Sequence, residues 1–158
     1  MVLEINKKVP DFKSIALVDG EEKEISLSDF LGKKVAIYFY PKDMTPGCTT
    51  QACNLRDNFE RLKEKDITVL GVSVDSIKSH KNFAEKKELP FILISDEDKK
   101  IVEMFGVWDK KSMYGRFFFG TLRKTFLIDE KGILRYVIEK PKVSGHAEEI
   151  MEEFENIK

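Results

Sequence analysis

Residues 38–62 read YFYPKDMTPGCTTQACNLRDNFERL. The stretch is entered from an apolar run, Val35-Ala36-Ile37-Tyr38-Phe39-Tyr40, long enough and unbroken enough to predict a buried strand. Pro41 ends that strand, because it fixes its own φ and cannot donate to a ladder. After a short polar loop comes Thr45-Pro46-Gly47-Cys48. Threonine is a good N-cap and proline a good first helical residue, so Cys48 falls in the first turn of a helix. The spacing carries that helix onward. Cys48, Ala52, Leu55, Phe59 and Leu62 recur at steps of four, three, four and three and share one face.

Cys48 therefore opens a core-facing stripe at the top of a buried strand. Free backbone N–H groups and the positive end of the helix dipole lie beside it. Both favour the thiolate, the reactive form of a group whose free pKa is about 8.5. Position alone fits a small buried hydrophobe equally well. The second cysteine, Cys53, lies five residues on. In one regular helix the two Cα atoms are roughly 8 to 9 Å apart and point about 140° away from each other. A disulfide needs about 7 Å or less, so the pair can bond only if the first turns unwind. A redox couple that switches by local unfolding fits this spacing better than a structural bridge.

Pro41-x-x-x-Thr45-x-x-Cys48 resembles the active-site motif of the peroxiredoxins. The longer string from Tyr38 to Asp43 and from Thr45 to Cys53 is similar to the subfamily called bacterioferritin comigratory protein or peroxiredoxin Q, whose members carry a second cysteine five residues after the first. The resemblance extends to Pro10-Asp11-Phe12, to Ser26-Leu27-Ser28-Asp29-Phe30, to Phe105-Gly106-Val107-Trp108 and to Arg123-Lys124-Thr125-Phe126-Leu127-Ile128-Asp129. It implies a thioredoxin-like fold and a thiol-dependent peroxidase that acts on hydrogen peroxide and organic hydroperoxides in antioxidant defence. It also implies a peroxidatic role for Cys48 and a resolving role for Cys53. The resulting disulfide is expected to be reduced by thioredoxin or a similar dithiol. The subfamily leans towards a monomer.

Composition sets the frame. A chain of 158 residues suits one domain spanning 1–158. With 42% hydrophobic and 35% charged residues it reads as globular, and a net charge of −1 gives no broad electrostatic case for nucleic acid or a membrane surface. No apolar run approaches a membrane span, and the first residues lack the apolar core of a signal peptide. A cytoplasmic location is the expectation, and there two cysteines are more often catalytic than structural.

Along the rest of the chain, Asp19-Gly20 predicts an N-terminal hairpin between Ile15–Val18 and Lys23–Ser26. Ile67–Val74 and Phe91–Ser95 read as further strands, the first like a parallel strand covered on both faces. A helix capped by Ser76 or Ser79 lies between them, and Asp96 caps a short helix carrying Ile101, Met104 and Phe105. Residues 107–122 are irregular, and a loop packing its aromatic residues onto the core is the expectation there. An active-site wall or a partner surface is the alternative. Two strands, 124–128 and 133–138, join at Asp129-Glu130-Lys131-Gly132, and Ser144 is expected to cap a final helix. This order predicts an α/β fold with a mixed sheet and flanking helices.

The proposed chemistry needs a thiolate, a peroxide held in line with it, and donors for the departing oxygen. Thr45 lies one turn before Cys48 and its hydroxyl could donate to a peroxide oxygen. Pro41 shapes the loop and shields the sulfur from water. The backbone N–H groups of Cys48 and Gly47 are further donors. For a cation, Arg123 matches the arginine that peroxiredoxins hold against the cysteine, with Arg116 as the internal competitor. Gln51 stands where many peroxiredoxins carry Glu and takes a supporting role. His80 and His146 do not share a zinc spacing with the cysteines, so surface or capping roles are expected for both. No metal is expected, and no glycine-rich nucleotide motif implies a cofactor. The competing readings are a thiol–disulfide oxidoreductase, disfavoured by the C-x4-C spacing, and a thioredoxin-like binding module with inert cysteines.

Overall fold

A computed structural model describes residues 3–157. Its centre is a seven-stranded sheet in the order β2-β1-β5-β4-β3-β8-β9. β3 (Lys34–Phe39), β4 (Ile67–Ser73) and β5 (Ile92–Ser95) are parallel neighbours. β1 (Lys13–Val18) and β2 (Glu21–Ser26) add an antiparallel hairpin on one side, and β8 (Lys124–Ile128) and β9 (Leu134–Ile138) add another on the other. Asp19 and Gly20 both take positive φ, 51° and 80°, the turn that their dipeptide predicts.

β3 sorts its side chains between two cores. Ala36, Tyr38 and Tyr40 point to one face, where α1 (Pro46–Asp57), α2 (Phe59–Glu64), α3 (Ile77–Lys87) and α5 (His146–Asn156) pack. Val35, Ile37 and Phe39 point to the other, under α4 (Lys100–Met104) and the short 3-10 turn Leu27–Phe30. A strand with helices on both faces must be apolar at every position, which is why 35–40 shows no alternation.

The parallel register has one demanding contact. Tyr38 pairs with Gly71 on β4, and a Cβ at Gly71 would lie 2.9 Å from the Tyr38 ring and 2.9 Å from Leu93 Cδ2. The missing side chain gives the Tyr38 ring its seat beneath the cysteine helix.

Four local expectations need correcting. The stripe from Cys48 to Leu62 is divided at Asn58, which sits at φ −111° between α1 and α2. Its Nδ2 donates to the Asn54 carbonyl at 2.8 Å, so a side chain takes up a carbonyl at the break. The segment 107–122 is not a loop but a two-stranded ribbon, β6 (Trp108–Met113) paired with β7 (Arg116–Thr121). Its aromatic residues do not pack on the core as expected: Phe117 and Phe119 are 71% and 60% exposed. Only Trp108, at the base, packs against the second core. At α5 the cap residue is Gly145 rather than Ser144. The side-chain acceptor at that terminus comes from α1, where Asn54 Oδ1 takes the N–H of Ala147 at 2.7 Å. Asp96 does receive the N–H groups of Ile101 and Val102, at 3.1 and 2.8 Å, as expected of a cap for α4.

Candidate active site

The site begins where β3 runs out. Pro41 closes the strand, and residues 41–45 form a loop that delivers Pro46 to the start of α1. That loop is fastened by Asp43, a residue the sequence reading passed over. Its buried carboxylate accepts from Tyr40 Oη at 2.6 Å, from Ser79 Oγ at 2.8 Å, and pairs with His80 Nδ1 at 2.7 Å. Its backbone N–H donates to Asp75 Oδ2 at 2.9 Å.

His80 is therefore not a surface residue. It is wholly buried, with Nε2 2.9 Å from the Ile94 carbonyl. Both ring nitrogens face acceptors, so both must donate, and the ring is an imidazolium paired with the Asp43 carboxylate. Burial alone would depress its pKa. The hydrogen bond and charge of Asp43, with the Ile94 carbonyl, outweigh that and hold it above the ordinary value.

Cys48 lies in the first turn of α1 and is 1% exposed. Arg123, on the short approach to β8, reaches across to it. Its Nη2 donates to Cys48 Sγ at 3.3 Å and its Nη1 to Gln51 Oε1 at 2.6 Å. The two nitrogens of one rigid fork are thus used together, one on the sulfur and one on the amide that holds the fork in place. Gln51 is completely buried, one turn along α1 from Gly47. Arg116, the competing cation, is exposed in β7.

Gly47 completes the fit. A Cβ there would lie 3.2 Å from Arg123 Nη2, so the absent side chain leaves room for the guanidinium. Below α1, Tyr38 stacks on Tyr40 with ring centroids 5.3 Å apart. Its hydroxyl is buried with no hydrogen-bond partner among the described residues. Burial, then the negative charges of Asp43 and Cys48, push its pKa well up, so it remains a neutral phenol.

Thr45 sits at the N-cap position, but its hydroxyl neither caps the helix nor points free. It donates to the Lys42 carbonyl at 2.7 Å, closing the loop on itself. Donation to an incoming oxygen requires that bond to be released. Cys53 is a free, half-buried thiol five residues after Cys48 in the uninterrupted helix. His146 is also not at the surface. It is fully buried between Thr125 Oγ1 at 2.7 Å and Glu149 Oε1 at 3.0 Å. Burial, only partly offset by Glu149, lowers its pKa.

The arrangement sets the buried Cys48 sulfur against a fixed guanidinium at a helix N-terminus. Such a site can stabilise a thiolate and can donate to an oxygen that gains negative charge as the sulfur attacks. The Asp43 and His80 pair was invisible to sequence reasoning because its members lie 37 positions apart. The periodicity that places His80 on α3 does not say which face is buried.

The AhpC/TSA family model matches residues 5–137. A putative peroxiredoxin bcp of Coxiella burnetii is 45% identical over 151 residues, covering 96% of this chain and 98% of its own. Peroxiredoxin Bcp of Bacillus subtilis is 44% identical over 153 residues, covering 96% and 95%. Among solved structures, the bacterioferritin comigratory protein of Xanthomonas campestris, studied for alkyl peroxide reduction, superposes with a TM-score of 0.84 at 34% identity and covers 92% of this chain and 90% of its own. A PrxQ mutant of Xylella fastidiosa gives 0.88 at 32% identity, covering 98% and 96%.

Proposed function

The chain belongs to the AhpC/TSA family and is a peroxiredoxin, a thiol-dependent peroxidase; on that premise we propose that Cys48 is its peroxidatic residue, Arg123 the cation that activates it and Cys53 the resolving thiol. One observation carries the assignment: the Arg123 fork donates to Cys48 Sγ at 3.3 Å while Gln51 holds its other nitrogen at 2.6 Å.

In the first step the Cys48 thiolate attacks the terminal oxygen of a hydroperoxide. The S–O bond forms, the O–O bond breaks, and the departing alkoxide or hydroxide takes a proton from solvent. Cys48 becomes a sulfenic acid, the first rung of cysteine oxidation. Arg123 steadies the thiolate and polarises the peroxide, aided by the N–H groups of Gly47 and Cys48. Thr45 takes part by exchanging its bond to Lys42 for one to the peroxide, and Pro41 keeps water from the sulfur.

In the second step the Cys53 sulfur attacks the sulfenic sulfur, water leaves, and a Cys48–Cys53 disulfide closes. Roughly 1.4 turns of helix separate the thiols, so the start of α1 must unwind first. A dithiol then reduces the bridge by exchange, and thioredoxin in a cytoplasmic setting is the natural candidate. The proposed working form is a single-domain monomer that uses neither metal nor cofactor.

The test is steady-state peroxide consumption with a dithiol reductant. Cys48→Ser should abolish turnover with hydrogen peroxide and with an alkyl hydroperoxide. Cys53→Ser should keep one round of oxidation and lose turnover when thioredoxin is the reductant. Undiminished consumption by Cys48→Ser would remove the assignment.

A further inference from the structure

The ribbon β6–β7 is a sheet of its own, joined to no further strand among the described residues. An isolated pair of strands is marginal in water, and this one exposes aromatic residues on both faces. Side chains directly opposite each other share a face. Lys110 pairs with Phe119 and Ser112 with Phe117 on one face, and Lys111 pairs with Phe118 on the other. Phe117 and Phe119 are largely exposed, Phe118 is 43% exposed, and Tyr114, in the turn at the tip, is 96% exposed. Cations are interleaved with the rings. Lys110 Nζ lies 5.6 Å from the Phe117 centroid, and the exposed Arg116 follows the turn. Residues 108–121 hold Lys110, Lys111 and Arg116 against Asp109, a net charge of +2. The whole chain is at −1, so the rest of it carries −3.

We propose that the β6–β7 ribbon is a docking element for an anionic phospholipid bilayer. Three observations select this occupant. Aromatic rings on both faces and at the tip cannot all be covered by one flat partner, whereas a lipid interface that surrounds the ribbon covers them together. The local charge of +2 is opposite to that of an anionic leaflet, and a second copy of this chain would set +2 against +2. Lys110, beside Phe117 and Phe119, has the stem to leave its ring and reach a lipid phosphate while the rings stay in the apolar zone. The outer edges of both strands, with no third strand beside them, need water or headgroups for their N–H and C=O groups. That limits the ribbon to the headgroup region and leaves the rest of the chain in water. The chain-wide charge of −1 conceals the feature, because it averages a basic ribbon with an acidic remainder.

The experiment is co-sedimentation of full-length reduced protein with vesicles of phosphatidylcholine alone and of phosphatidylcholine containing roughly one-third phosphatidylglycerol. No peroxide is present, so the outcome is independent of the assignment of Cys48. The protein should pellet with the anionic vesicles, more weakly with the neutral ones, and come off at high salt. Phe117→Ser/Phe119→Ser should lower the partition coefficient by about tenfold or more. Lys110→Gln/Arg116→Gln should lower it by about fivefold per charge removed. Leu31→Ser, which removes an exposed apolar residue elsewhere, should change nothing. Far-UV circular dichroism checks that each variant is folded. If Phe117→Ser/Phe119→Ser does not fold, Tyr114→Ser at the tip is read in its place, with a loss of about threefold expected. Failure of the parent to pellet with anionic vesicles overturns the proposal, as does undiminished binding by the aromatic variant. A ribbon-dependent dimer in sedimentation velocity without vesicles assigns the rings to a second copy and overturns it as well.

Discussion

Asn54 Oδ1 accepts a hydrogen bond from the backbone N–H of Ala147 at 2.7 Å, and its Nδ2 donates to the Ser144 carbonyl at 3.0 Å. A residue of the cysteine helix thus supplies the cap of the last helix, directly after Cys53. Unwinding of α1 to bring the two sulfurs together therefore pulls on the start of α5. Asn54→Ala should lower stability by about 1 to 2 kcal/mol, the usual range for a lost cap. Urea unfolding of reduced protein reads this directly, and an unchanged midpoint would show that water replaces the contact without loss.

Gly47→Ala should fold normally, because α1 is helical there and alanine favours helix. Its Cβ, 3.2 Å from Arg123 Nη2, displaces the guanidinium. Peroxide attack should slow by about tenfold or more, since small misplacements at a reacting centre are expensive. Wild-type rates in a folded Gly47→Ala protein would mean that the guanidinium position is not critical.

Arg123→Lys preserves charge but not the fork. A lysine cannot grip Gln51 Oε1 and Cys48 Sγ with two nitrogens held in one plane. Its peroxide rate should fall by roughly a hundredfold, of the order seen when one oxyanion donor is removed. Stopped-flow oxidation of reduced protein measures it. Full activity in Arg123→Lys would show that a point charge suffices.

The His80–Asp43 pair gives a pH signature. The folded protein holds the His80 proton more tightly than the unfolded chain, where the pKa is about 6.5. The stability this contributes is fully present below about pH 6.5 and is lost as pH rises through the higher folded value. The stability gap between wild type and His80→Gln should therefore be widest near pH 6 and narrow towards pH 9. Groups common to both proteins cancel in the difference. A gap independent of pH would mean that His80 is neutral in the fold.

The parts of this fold legible in the sequence are those fixed by local pattern. Val35–Tyr40, the stripe from Cys48 and the Asp19-Gly20 turn each declare themselves within a few residues. Arg123 was found through the motif resemblance, not through spacing. What escaped is long-range or lacks the usual cues. β6 and β7 read WDKKSM and RFFFGT, with no β-branched alternation and a Tyr114-Gly115 turn instead of Asn-Gly or Asp-Gly. Both turn residues nevertheless take positive φ, 53° and 76°. His80 and His146 were misread because a helix pattern shows a face but not what covers it. Their partners Asp43 and Thr125 lie in other elements.

The most direct measurement is the response of reduced protein to one equivalent of hydrogen peroxide, followed by free-thiol count and intact mass. Wild type should lose both thiols and two hydrogens, forming the Cys48–Cys53 disulfide, while Cys53→Ser should trap sulfenic acid on Cys48. Wild type that keeps both thiols and its original mass would contradict the account at its root. Sulfenic acid on Cys48 with Cys53 untouched would contradict the two-cysteine cycle alone.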